Sequence, residues 1–135
     1  TYSHPYVYLD YGAIEKSELT VAAVASQVAE RLMGCPGVHA AVTADSVVKS
    51  QLKDYVVARR VSNHYHGARS GDIYLALQSG TYVNDFDGLV VASTHGSPWL
   101  YDTDVPIIIA GPGIRAKSVG HQVSPAISRR QCLTA

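Results

Sequence analysis

The order of apolar and polar positions divides the chain into short segments of two different periods. Pro5 to Leu9, PYVYL, is an apolar and aromatic run closed by Asp10-Tyr11-Gly12, which predicts a strand ending in a turn. Val21, Val24, Ala25, Val28 and Leu32 follow the i, i+3, i+4, i+7 spacing of an amphipathic helix, with Ser26, Gln27, Glu30 and Arg31 on its polar side. Ser17 or Thr20 can cap that helix, and Gly34 with Pro36-Gly37 stops it. Val38 to Thr43 reads as a strand. Thr43 or Asp45 then starts a second helix carrying Val47, Val48 and Leu52. A third helical stretch runs from about 54 to 63, and its Arg59-Arg60 pair leaves the solvent face undetermined. Asp72 to Gln78, DIYLALQ, predicts another strand.

The second half is less regular. Residues 79–87 are polar and glycine-bearing and predict a mobile loop, whereas GLVVA at 88–92 and Pro106 to Ala110 predict apolar strands, the second ending at Gly111-Pro112-Gly113. Beyond Ile114 no period is sustained, and turns followed by a short helix or a frayed end are expected. The pattern thus predicts an α/β (α+β) fold, a small mixed sheet with helices packed on it. Residues 1–80 form an α/β subdomain and 81–135 a loop and strand segment packed with it as one compact unit.

Composition narrows this picture. An apolar content of 47% with 16% charged residues suits a folded chain of 135 residues with one core. Eleven basic and eleven acidic side chains cancel, so bulk charge supplies no grip on nucleic acid or an anionic membrane. No apolar run reaches the ~18 residues of a membrane span. Cys35 and Cys132 lack metal-type spacing and are expected as free, buried thiols unless the fold brings them together.

Chemistry is concentrated in STHGSPWLYDTDVP, residues 93–106. His95 stands between Thr94 and Gly96, on a loop whose backbone can approach another group closely, which is how a metal ligand is often presented. Asp102 and Asp104 follow as turn residues or as partners that orient His95. Ser97 is the nearest hydroxyl to an imidazole, although a side chain two positions away on one loop seldom points at it. His64 and His66 could join His95 in a three-histidine site or form a polar turn. Arg69, in R-S-G-D, suits bonds to backbone carbonyls or to Asp72 better than a phosphate. Neither a P-loop, a dinucleotide glycine fingerprint nor a G-x-S-x-G elbow is present.

The string T-H-G-S-P, then Y-D-T, V-P, aliphatics and G-P-G-I, resembles the closing segment of the alkaline phosphatase superfamily, in its phosphodiesterase and phosphonate-insensitive phosphatase branch. PYVYLD, CPGVHAAVT and HYHGARSGDIYLAL extend the likeness upstream, so that it covers nearly the whole chain and weakens after about Val123. The resemblance implies that His95 is a zinc ligand and that residues 1–80 are cap-like. It implies a parent enzyme in which two zinc ions about 4 Å apart clamp an in-line displacement at phosphorus. Asp104 stands where the family usually has histidine, and no segment here matches the family's nucleophile, its D-x-x-x-H pair or its S-D-H-G strand end.

The expectation is therefore the carboxy-terminal portion of a zinc-dependent phosphate-ester hydrolase, inactive alone, partnered by the rest of its catalytic domain or by another copy. The zinc belongs to the complete enzyme, and the resemblance implies a periplasmic or secreted parent. The alternative is a non-catalytic stand-alone α/β domain used for oligomerisation or ligand binding, because strands 88–92 and 106–110 would leave edges open to a second copy.

Overall fold

The structure, a computed structural model, describes residues 1–51, 56–83 and 93–121. Its contacts divide the chain into two units, Thr1–Val105 and Pro106–Ala135, and the T-H-G loop lies in the first. That unit is α/β, as the pattern predicts. Among the described residues, β1 (Tyr2–Ser3), β2 (Tyr6–Val7), β3 (Val38–Thr43) and β4 (Ile73–Leu77) form one sheet in the order β1-β2-β4-β3. All three ladders are antiparallel, so the expected mixed sheet is purely antiparallel here.

Strand alternation sends successive side chains to opposite faces, and each face is covered by a helix. On one face Val42, Tyr74 and Ala76 pack with Val57 and Val61 of α4 (Val56–His64). On the other, Ile73 packs with Ala25 and Ala29 of α2 (Val21–Met33). Small alanines at i and i+4 let α2 lie close to the sheet, which turns its buried stripe toward Ala25 and Ala29 and leaves Val21 outside. The side chain of Thr20 caps α2 through the Ala23 amide, and Gly34 ends it.

Thr43 does double duty. It closes β3, and its hydroxyl accepts from the Ser46 amide to start α3 (Ala44–Val48). Asp10, expected in a turn, caps the short α1 (Tyr11–Glu15) through the Ala13 amide; a turn and a first helical turn share this aspartate bond. The predicted strand Pro5–Leu9 shortens to β2 and becomes the second arm of a hairpin whose first arm, β1, lies just upstream, and Tyr6 sits opposite Tyr74 with ring centroids 5.4 Å apart, edge to face.

Three expectations are corrected. Pro106 to Ala110 forms no strand in the second unit; Ile107, Ile108 and Ile109 are 53%, 85% and 71% exposed. An apolar extended run becomes a buried strand only when a neighbour pairs with it, and no described residue does so. Cys35 is exposed just past α2, its thiol donating to the Arg31 carbonyl at 3.7 Å. Asp72 is not held by Arg69, because its carboxylate accepts from the Leu9 amide at 2.7 Å and from the Tyr11 hydroxyl. Leu52, the predicted strand 88–92, Cys132 and the tail beyond 121 lie outside the described residues.

Candidate functional site

The loop bearing His95 is fastened to the sheet just downstream of the histidine. Pro98 is buried, and its carbonyl accepts from the Arg60 guanidinium of α4 at 2.6 Å. Trp99 donates its indole N–H to the Leu77 carbonyl at the end of β4 at 3.0 Å. Its ring meets His39 edge to face at 4.8 Å and packs against the core formed with α4. Trp99 also starts α5 (Leu100–Thr103), so one residue joins loop, sheet and helix.

The second fastening is polar. The Asp102 carboxylate accepts from the Ser97 amide at 2.8 Å, and the Trp99 amide donates to the Ser97 hydroxyl at 3.4 Å. The Ser97 side chain, then its amide, then the nearby His95 imidazole hold the Asp102 carboxyl below its ordinary 3.8, so it is an anion at neutral pH. Ser97 is thereby tied to Asp102 and is no free nucleophile. Between His95 and Ser97, Gly96 takes φ +97° with open space where a Cβ would be; the backbone angle, and not crowding, calls for glycine.

Thr94 and His95 are exposed at the mouth of a cavity of about 310 Å³. Tyr74, Leu75 and Leu77 of β4 contribute one wall, Thr81 and Tyr82 another, and His4, Tyr101 and Asp102 complete it. The Tyr101 hydroxyl oxygen accepts from the Gly80 amide at 3.1 Å, pinning α5 to the turn after β4, and this bond first of all lowers the phenol's pKa. Of the residues singled out in the sequence, the structure brings Thr94, His95, Ser97 and Asp102 to this cavity. Asp104 instead ends α5, its amide donating to the Leu100 carbonyl at 2.8 Å, and is not among the cavity residues.

The histidine pair lies elsewhere. His64 ends α4, whereas His66 accepts from the Ala68 amide on Nδ1 and its carbonyl accepts from the amides of Arg69 and Ser70, which makes 66–70 a polar turn. Among the described residues no three of His, Cys, Asp and Glu gather so as to hold a metal ion. A catalytic zinc takes three protein ligands and a water. His95, with Asp102 beside it, does not fit zinc by itself.

Sequence reasoning missed His4, Tyr74, Tyr82, Arg60 and Trp99. For three of them the signals were present as the strand tyrosine of DIYLAL, one arginine of an undecided pair and the single tryptophan, but these act through distant partners. Tyr74 carries a pH consequence. Burial, with Tyr6 and Tyr2 adding, pushes its hydroxyl from 10.0 up to about 12. A folded value above the unfolded one leaves stability intact below about pH 10 and removes it as pH climbs toward 12. Wild type should lose about 2 kcal/mol more than Tyr74→Phe across that interval in urea unfolding, solvent in the cavity screening the remainder. Equal losses would contradict the assignment.

The chain is 27% identical over 128 residues to a calcium-transporting ATPase of Myroides odoratus, a match covering 91% of this chain and 23% of that protein. The chain therefore spans less than a quarter of that relative's length. No protein-family profile and no solved structure matches it. Among the described residues no helix is long and apolar enough to cross a membrane.

Proposed function

We propose that this chain is the carboxy-terminal portion of a zinc-dependent phosphate-ester hydrolase resembling the alkaline phosphatase superfamily, to which it contributes His95 as one metal ligand. The observation that supports this is the disposition of the T-H-G loop. It is exposed, yet a buried proline carbonyl, an indole N–H and a half-buried aspartate fix the residues that follow His95. Such fixing is what a ligand loop needs, since metal affinity depends on donors held in place before the ion arrives. Asp102, held as an anion by Ser97, adds a fixed negative charge near the imidazole. The assignment rests on the loop and its motif, and not on the ATPase likeness.

One imidazole cannot complete a catalytic zinc site, so the other ligands and the nucleophile come from elsewhere in the parent protein. The isolated chain turns over no aryl phosphate in added zinc. The test is a polypeptide that carries this chain together with the preceding parent sequence, with and without His95→Ala. The variant should lose zinc and at least about a hundredfold in turnover, as loss of a metal-site contact commonly does.

The exposed run Val105 to Ile109 favours a partner in either reading of the fold. Val105 is 64% exposed and Ile108 85%, and such residues in sequence normally meet another surface. A strand of the parent's own sheet supplies it under the hydrolase proposal. A second copy supplies it if the chain is a non-catalytic domain that oligomerises.

A further inference from the structure

We propose that the cavity behind the Thr94–Gly96 loop is an aryl site, taking the uncharged aromatic part of a phosphate ester whose phosphate lies at the mouth beside His95. This rests on the assignment of His95 as a metal ligand. Tyr74, Tyr82 and Tyr101 line it together with leucines of β4, and His4, Thr81 and Ser97 are among its polar lining. Flat apolar and aromatic walls with a few placed polar groups are the usual make-up of a small-ligand pocket. No Lys or Arg is among the described residues that line it, and the charge present is the Asp102 carboxylate. An anion buried there would be repelled, so the group that enters is neutral.

Size agrees with one or two rings. An apolar cavity of about 150 Å³ already holds benzene, and this one measures about 310 Å³. Edge-to-face packing is already in use nearby, where Tyr6 meets Tyr74. The Tyr74 hydroxyl, kept protonated far above neutral pH by burial, remains available as a donor. Tyr101 is held by its bond to the Gly80 amide, which fixes an exposed ring that a ligand can stack on.

The experiment uses phenol, which carries no phosphate and needs no metal, so its outcome is independent of whether the zinc assignment stands. Amide spectra of the chain titrated with phenol should show saturable shifts centred on Gly80, Gly96 and Ser97, and inorganic phosphate should produce none. Tyr101→Ala should weaken phenol binding about fivefold, the scale of one aromatic contact, while amides of α2 and β3 stay in place. If those distant amides move, Thr94→Trp serves instead, filling the mouth from an exposed position with the same loss of binding. Phenol shifts that fail to saturate, or an equal response to inorganic phosphate, would overturn the proposal.

Discussion

Replacing Trp99 with alanine is expected to lower the free energy of unfolding by about 3 kcal/mol and to release the loop that carries His95. Truncating a buried tryptophan costs about 3–5 kcal/mol, and this ring is half-buried, which places it at the low end. Three contacts go at once: the edge-to-face meeting with His39, the hydrogen bond to the Leu77 carbonyl, and the packing against the core that includes Val57 and Val61. Trp99→Phe keeps much of the packing and loses the indole donor, so it should cost about 1 kcal/mol. Urea midpoints measure both costs. The amide of Gly96, on the far side of the buried Pro98, reports the loop, and in the alanine variant alone it should lose its dispersion. A cost below about 1 kcal/mol for Trp99→Ala would mean that the loop is held by other means.

Gly71→Ala should be nearly as damaging, by about 3 kcal/mol, for a reason that no glycine count reveals. Gly71 is buried at the entry to β4, and an added Cβ would lie 2.6 Å from the Tyr6 Cβ and 3.1 Å from the Val7 carbonyl oxygen. Neither neighbour is the end of a flexible side chain, so β2 itself has to move. That displacement strains the Asp72 amide bond to Val7 and the Leu9 bond to the Asp72 carboxylate, which close this edge of the sheet. Overpacking of this kind costs about 1–3 kcal/mol and more where backbone resists. Gly80→Ala is the control: nothing lies within 4 Å of its added Cβ, and only its φ of +76° is at stake, worth about 1 kcal/mol. Equal effects at the two positions would show that backbone angle, and not close approach, governs Gly71.

The parts of the fold that were legible are those whose signal is local. The helix from Val21 and the strand Val38–Thr43 fall where the periods put them, and Thr20 and Thr43 cap as their positions suggest. What escaped depends on a partner far along the chain. The isoleucines at 107–109 have every property of a core strand except a pairing neighbour among the described residues, and sequence pattern carries no information about the neighbour. Arg69 and Asp72 are close in sequence, yet Asp72 is engaged by residues more than sixty positions away. The candidate site shows the same division. T-H-G and Asp102 could be picked out as a loop with chemistry, whereas the cavity exists only because β4, the turn after it and α5 converge, with Tyr101 reaching back to Gly80.

The central claim is that the His95 imidazole is a zinc ligand in a larger metal centre. It is tested most directly by the zinc content of the polypeptide carrying this chain with the preceding parent sequence, purified without chelator and measured by elemental analysis beside its His95→Ala form. Bound zinc in the wild type and a clear deficit in the variant, with the fold intact by circular dichroism, is the predicted result. Equal zinc in the two proteins, or none in either after saturation and desalting, would contradict it.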